Sequence, residues 1–314
     1  ILMNTKRIKR YMFSIIINYF DTPKYLENCI NSLINQTYKN WEVIFIDNCS
    51  EISPMIFLEK IKGKLTYHRL EKTVSLGSAR NEALKRCSGK YICFLDTDDL
   101  WHPEKLKCQL DILEDDINLG LLATECSLIK NNRILNQFTR CSKVNDIDAL
   151  KEIIKANFLV MSSVAVRRQI IEFENIKFDD GIQILEDTIF FYKILKVSKY
   201  KSVKRVLTLW RYSLNSNTYQ NLDKLLSEKL FFRENYLKND YKILSKTVLH
   251  RFDINTQILQ AVIMYRKGLK SKARKILLQI LFINLKATII FLLTFLPRKS
   301  GINFYEYLKG NPLL

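Results

Sequence analysis

Between residues 13 and 116, short apolar runs alternate with segments whose apolar residues recur every three or four positions. Phe13–Ile17 is a compact β-branched run. Behind it, Pro23 suits a first helical position, and Leu26, Cys29, Ile30, Leu33 and Ile34 follow at helical spacing. Trp41–Ile46 reads as a second strand, Ile56–Ile61 as a helix closed by Gly63, and Leu65–Leu70 as a short strand. Small residues from Ser75 to Asn81 lead into a helix through Ala83, Leu84 and Cys87, which Gly89 stops. Tyr91–Leu95 then reads as a strand buried on both faces. This alternation predicts an α/β fold, a sheet with helices on its faces.

The next stretch predicts a helix over Lys105–Leu113, a strand over Leu121–Ile129, a polar turn at Lys130–Arg133 and a helix through Leu150, Ile153 and Ile154 capped by Asp146 or Asp148. Val164–Val166 reads as extended, Gln169–Phe173 and Phe190–Leu195 as helical, and Lys201–Trp210 as a late strand. From Tyr219 onward the pattern becomes helical and increasingly basic, through Leu222, Leu225, Leu226 and Leu230, then Ile258–Tyr265, then Lys270–Leu296. The shift predicts two regions, 1–218 with the α/β sheet and 219–314 as a basic amphipathic helical extension.

Composition adds partners to this picture. The hydrophobic fraction of 47% is that of a folded protein, and 50 Lys and Arg against 32 Asp and Glu give a formal charge of +18. Such a charge attracts an anion: a nucleic acid, an acidic membrane surface or a phosphorylated substrate. The seven cysteines contain no CxxC pair, which predicts neither a zinc knuckle nor a disulfide framework and fits a reduced, cytoplasmic setting. The segment Ile1–Arg10 is short and basic, without the apolar core of a cleavable signal. Ile276–Leu296 approaches the length of a membrane span, but Lys286 at its middle costs roughly 2.5–3.5 kcal/mol there. A helix pair or an interfacial helix, with apolar residues in lipid and cations at the headgroups, is expected instead.

Candidate chemistry gathers where the apolar strands end. Asp47 closes the second strand, and Asp96, Asp98 and Asp99 follow Tyr91–Leu95, at the rim where open α/β sheets bind ligands. Asp96 and Asp98, two apart, would project from one side of an extended segment and hold a hard divalent cation, which in turn holds phosphates. Asp98 or Asp99 could instead cap a helix starting near Pro103. Arg80 and such a cation can neutralise a diphosphate, while a carboxylate such as Asp47 accepts a base N–H or ribose hydroxyls. Glu186 and Asp187, ahead of the Phe190 helix, could supply a general base, or could simply offset the helix dipole.

Several of these segments, in this order, resemble family 2 glycosyltransferases of the GT-A fold. Phe13–Asp21 resembles the family's opening strand and nucleotide loop, Leu33–Tyr38 its next helix end, and Trp41–Ser50 its second strand with the base-contacting acid at Asp47. Gly77–Asn81 resembles the segment before the metal site, and Gly89–Asp99 the strand with the DxD motif. The resemblance implies a mixed central sheet of Rossmann-like type flanked by helices, and inverting sugar transfer from a nucleotide-diphosphate sugar, a UDP-sugar first, with Mn2+ or Mg2+ bridging the diphosphate. It places the metal on Asp98 and Asp96, the donor against Asn18, Phe20, Asp47, Arg80, Asp96 and Arg211, and the base on Asp187 of the Glu186–Asp187 pair. Leu209–Thr218 resembles the family's late loop over the donor. The chain departs from the family pattern at Asn18–Asp21, at Asn48, where a second acid is usual, and at Ser213, where a His is common.

The function implied is synthesis of cell-surface polysaccharide or lipid-linked oligosaccharide. The basic tail would lie on the inner face of the plasma membrane, near a glycan or polyprenyl-diphosphate-linked acceptor. Two alternatives compete with it. A nucleic-acid-binding protein would explain the charge but requires basic and aromatic residues grouped on one surface. A non-catalytic glycosyltransferase-like partner subunit requires a broken acidic site, whereas Asp47, Asp96, Asp98 and Asp187 are intact.

Overall fold

The computed structural model describes residues 11–130, 133–138, 141–211, 221–240, 242–281 and 284–295. They form two compact units, Ile1–Leu214 and Asn215–Leu314.

The first unit begins with β1 (Phe13–Tyr19), α1 (Pro23–Ile34), β2 (Trp41–Asp47), α2 (Met55–Leu58), β3 (Leu65–Arg69), α3 (Leu76–Leu84) and β4 (Tyr91–Phe94). It continues through β5 (Leu100–Trp101), α4 (Lys105–Asp115), β6 (Leu119–Lys130), β7 (Arg133–Phe138), α5 (Asp146–Lys155), β8 (Val164–Arg167), α6 (Arg168–Phe173), α7 (Glu186–Leu195) and β9 (Lys199–Arg211). One sheet runs in the order β3-β2-β1-β4-β8-β6-β9-β5, with β7 hung on β6. β3, β2, β1 and β4 are parallel, and β8 joins antiparallel to both β4 and β6. The sheet is therefore mixed, as expected.

Parallel strands need helices on both faces, and the apolar alternation of β1 supplies both. Phe13, Ile15, Ile17 and Tyr19 pack with Leu26, Ile30 and Leu33 of α1 and with Leu106 and Leu113 of α4. On the other side Phe94 meets Phe178 and Phe190 edge-on, and those two rings stack at 4.0 Å. Gly89 marks where the chain crosses β1 most closely. A Cβ there would lie 2.5 Å from the Ser14 nitrogen, and the Gly89 N–H donates to Ser14 Oγ at 2.8 Å.

Several boundaries differ from expectation. β1 runs two residues further, so Asn18 and Tyr19 end the strand rather than open a loop. Asn145, not Asp146 or Asp148, caps α5, accepting from Asp148 N at 2.9 Å; both acids lie in the first turn. β5, only Leu100 and Trp101, was too short to stand out from periodicity, and β7 mixes apolar Ile134, Leu135 and Phe138 with polar residues without alternation.

The second unit contains α8 (Leu222–Phe232), α9 (Lys246–Arg266), α10 (Lys270–Leu278) and α11 (Leu285–Leu293). Ile254, Ile258, Ala261 and Val262 of α9 share a core with Leu277, Ile280, Ala287 and Ile290. The stretch Lys270–Leu296, expected to be helical, is not one helix. It breaks after Leu278 and restarts where Asn284 caps α11, accepting from Ala287 N at 3.2 Å. Among the described residues no helix is long and apolar enough to cross a membrane.

Candidate active site

β4 delivers Asp96–Asp99 to the sheet rim, but as a turn closed by Asp99 N–H donating to Asp96 O at 3.0 Å, not as an extended segment. Alternation along a strand therefore does not set the directions of Asp96 and Asp98. Both are partly exposed, whereas Asp99 is buried and accepts from the Arg211 backbone at 2.9 Å. Neither Asp98 nor Asp99 caps a helix: α4 starts at Lys105 behind Glu104. Burial, and then the charge of Asp96, push the Asp98 carboxyl up to about 6; burial and both neighbouring acids raise Asp99 well above the ordinary value. Crowded carboxylates of this kind, with Asp96 and Asp98 open to solvent, fit a hard oxygen-seeking cation. Among the described residues no three His, Cys, Asp or Glu side chains converge on one metal position. The remaining ligands would have to come from substrate and water.

Arg80 joins this turn to the second acidic pair. Its side chain is 3% exposed; Nη2 donates to Asp96 Oδ1 and Nη1 to Glu186 Oε1, each at 3.3 Å. The small residues before it serve that bridge. Ser75 caps α3, accepting from Ser78 N at 3.2 Å. A Cβ on Gly77 would come 3.1 Å from Phe178 Cβ, so glycine lets the segment leading to α7 lie against the helix. Asn81 clamps that segment, donating to Phe178 O at 2.8 Å and accepting from Phe178 N at 2.9 Å, and Ser78 Oγ donates to Asp180 at 2.7 Å. Glu186 and Asp187 thus arrive at the first turn of α7 already tied to Arg80's helix. Asp187 Oδ2 accepts from Asn157 Nδ2 at 2.9 Å, and Oδ1 accepts from Thr188. Burial raises the Asp187 pKa, and the Arg80 charge opposes the rise.

On the opposite flank, Arg211 at the end of β9 lies 3.8 Å above the Tyr25 ring, and its Nε donates to Asp98 O at 3.0 Å. The guanidinium is thereby held beside the acidic turn without folding onto the carboxylates. The rest of the expected late loop, residues 212–218, lies outside the described residues.

Around Asn18, Phe20 and Asp47, where the nucleotide was expected, the picture is more layered. Asn18 is half-buried and its Oδ1 has no hydrogen-bond partner among the described residues; Phe20 is 49% exposed at the tip after β1. The Asp47 carboxylate is fully buried. Its Oδ1 accepts from Ser50 N at 2.8 Å, and its Oδ2 from Tyr67 OH at 2.6 Å and Arg69 Nη1 at 2.9 Å. Burial alone would raise its pKa, but the bonds from Tyr67 and Ser50 and the Arg69 charge outweigh it and hold it low. Asn48 explains why no second acid stands there: its amide donates to Val74 O and accepts from Val74 N, both at 2.9 Å, and an aspartate could not donate.

The structure therefore ties Asp96, Asp98, Arg211, Arg80 and Glu186, with Asp187, into one connected cluster, and sets Asp47 in a separate one at the ends of β2 and β3. Tyr25, Asn157, Tyr67 and Arg69 were not legible as site residues. Only Arg69 carried a sequence signal, as a cation ending a strand that would lie beside Asp47.

Comparison with known proteins decides the class. The model of glycosyl transferase family 2 matches residues 14–172. The chain belongs to that family. It is 26% identical over 253 residues to the UDP-Glc:alpha-D-GlcNAc-diphosphoundecaprenol beta-1,3-glucosyltransferase WfgD of Escherichia coli, covering 77% of this chain and 96% of WfgD. It is 28% identical over 271 residues to the minor teichoic acid biosynthesis protein GgaA of Bacillus subtilis, covering 81% of this chain and 58% of GgaA. The fold matches S. aureus TarS 1-349 in complex with UDP-GlcNAc, with TM-score 0.63 and 17% identity over 90% of this chain and 79% of that one. The mannosyltransferase PcManGT of Pyrobaculum calidifontis, in complex with GDP-Man and Mn2+, matches with TM-score 0.59 and 13% identity over 97% and 82%. The chain is a GT-A glycosyltransferase of the kind found in cell-surface polysaccharide synthesis, and the nucleic-acid-binding and non-catalytic alternatives give way to that reading.

Removing Arg80 takes away the buried charge that meets Asp96 and Glu186. Arg80→Met is expected to cost about 3 kcal/mol of stability at pH 7. Without the guanidinium, whose charge opposes the rise, the Asp187 pKa climbs further and that carboxyl takes up a proton on folding, so the loss should shrink at pH 5. Urea unfolding at the two pH values measures both.

Proposed function

We propose that the chain is an inverting transferase that moves a sugar from a nucleoside-diphosphate sugar to a hydroxyl of a glycan or polyprenyl-diphosphate-linked acceptor. The observation that carries this reading is the Arg80 bridge, which puts a cation-ready carboxylate pair and a second acidic pair on the two ends of one guanidinium. The donor and acceptor named for WfgD, and the UDP-GlcNAc bound to TarS, support a UDP-sugar and a lipid-linked acceptor here.

In this reading Asp98 and Asp96 hold Mg2+ or Mn2+, which when bound supplies positive charge to the leaving diphosphate. Arg211, fixed on Tyr25, adds a second cation to the diphosphate, and Arg80 keeps Asp96 and Glu186 in place while contributing to the donor field. Asn18 and Phe20 flank the nucleoside, with Asp47 beneath it. Asp187 takes the acceptor's hydroxyl proton as that oxygen bonds to the anomeric carbon. The bond from that carbon to the diphosphate oxygen breaks, its electron pair stays on the nucleotide, and attack opposite to it inverts the configuration. Asn157 orients Asp187 by occupying one carboxylate oxygen.

Residues 1–218 carry this chemistry, and residues 219–314 support membrane association. Leu278 of α10, Leu285 and Leu292 of α11 and the following Phe295 are exposed, among Lys270, Lys272, Lys275 and Lys286. Apolar side chains interleaved with cations suit the headgroup layer of an anionic inner leaflet.

Purified protein with Mn2+ or Mg2+ should hydrolyse one nucleotide sugar of a panel. Asp98→Ala should abolish this, and Asp187→Asn should lower acceptor-dependent transfer by about 10²–10⁴. Because Asp187 must be ionised and its pKa is raised, kcat/KM should fall as pH drops through a value above that of an ordinary aspartate. Full activity in Asp187→Asn would contradict the assignment. In vesicle sedimentation the protein should bind anionic but not zwitterionic vesicles, and 0.5 M salt (roughly a 4 Å screening length) should release much of it. Equal binding to both lipids would count against an electrostatic dock, and Leu285→Glu with Leu292→Glu should weaken binding without lowering donor hydrolysis.

A further inference from the structure

The turn that carries Asp96 and Asp98 is fastened to the body of the protein by a small residue far away in the chain. Ser162 sits in the short 3-10 turn Met161–Ser163 that leads into β8, and it is fully buried. Its Oγ accepts the backbone N–H of Asp96 at 3.1 Å, where the acidic turn starts. Its carbonyl accepts from Trp101 Nε1 at 2.7 Å, just past the other end of that turn, and from Thr208 Oγ1 of β9 at 3.4 Å. One residue therefore grips both ends of the acidic turn and the strand that brings in Arg211. The grip is itself held from behind. Gln109 Nε2 donates to Ser163 O at 3.0 Å, Gln109 Oε1 accepts from Lys105 Nζ at 2.8 Å, and that ammonium lies 4.0 Å from the centroid of the Trp101 ring. Lys105 and Gln109 are fully buried as well, so a buried cation that takes no part in transfer locks Trp101 against the serine turn.

We propose that Ser162 is a positioning residue for the divalent cation: by holding the Asp96 N–H it sets the direction in which the acidic turn presents its carboxylates, and with it the affinity for a cation bound together with a nucleoside diphosphate. The inference rests on the nucleoside-diphosphate-sugar reading above and deepens it. Asp96 is held at other atoms too. Its carbonyl accepts from Asp99 N–H at 3.0 Å and from Cys29 Sγ at 3.7 Å, and Arg80 engages its Oδ1. Those bonds close the turn and fix one carboxylate oxygen, while the bond to Ser162 ties the start of the turn to a different part of the sheet. With alanine in place of the serine, the Asp96 N–H would face a buried methyl group. An unpaired donor there is costly, so the turn relieves it by rotating toward another acceptor and carries Asp96 and Asp98 with it. A hard cation demands well-placed oxygen ligands, and the groups that orient those ligands govern its affinity. Ser163 provides the contrast: it is equally buried, but its Oγ donates to Val160 O at 2.7 Å and so bonds within its own turn.

The experiment is calorimetric titration of the full chain with UDP and with GDP, each once in Mn2+ and once in EDTA. The wild type should bind one of the two more tightly in Mn2+. Ser162→Ala should weaken that binding about tenfold in Mn2+, the loss expected when a group that orients metal ligands is removed, and leave the affinity in EDTA as it was. Trp101→Phe, which frees the other end of the turn from the same serine, should show a loss of the same kind, in Mn2+ and not in EDTA. Ser163→Ala should keep both affinities, which separates positioning of the turn from the general cost of deleting a buried hydroxyl. Wild-type affinity in Mn2+ for Ser162→Ala, an equal loss in Mn2+ and EDTA, or the same loss in Ser163→Ala would overturn the inference alone. A wild type whose binding of both nucleotides is indifferent to Mn2+ would overturn the metal assignment of the donor reading and this inference with it.

Discussion

The organisation of the site depends on one buried guanidinium. Arg80 has almost no contact with water, so its charge must be matched inside the protein, and the matching groups are Asp96 on the sheet rim and Glu186 at the start of α7. These residues lie 16 and 106 positions from Arg80 in the chain. A buried ion pair of this kind need not add net stability, since the cost of desolvating the charges offsets much of their attraction. What it supplies is position: the turn that follows β4 and the first turn of α7 cannot separate without leaving charge unpaired.

Sheet and helices prepare that meeting. Because β1, β2 and β4 run parallel, their C-terminal ends share one rim, and loops leaving that rim carry Phe20, Asp47 and Asp96–Asp99. Gly77, Ser78 and Asn81 bring in the segment from Phe178 to Asp187 from the other side, and the stacked Phe178 and Phe190 rings seal it against Phe94. A cluster of acids that would repel in isolation is thus framed by two cations, Arg80 behind and Arg211 on Tyr25 in front.

Much of this was visible in the chain itself, where a physical signal was local. The β-branched runs and helical spacings marked β1, α1, β2 and β4, because burial on two faces leaves a continuous apolar run, and acids stranded at the ends of such runs marked the rim. The signal failed where partners are distant in sequence. Nothing local says that Asn157 bonds to Asp187, that Tyr25 underlies Arg211, or that Tyr67 and Arg69 enclose Asp47. It also failed where a turn replaced a strand: Asp96 and Asp98 look two apart on an extended segment, but the Asp96–Asp99 hydrogen bond curls them. In the second unit composition gave a long apolar run, and the break between α10 and α11 had only Asn284, a good helix cap, to announce it.

The most direct measurement is a crystal structure of the protein soaked with UDP or GDP and Mn2+, with the metal located by its anomalous scattering. The account predicts Mn2+ on Asp98 and Asp96, the diphosphate between that metal and Arg211, and the Asp187 carboxylate facing the space beyond the β-phosphate where the sugar and acceptor must meet. A nucleotide bound away from the acidic turn, or a metal held by other residues with Asp187 turned away from the diphosphate, would contradict it.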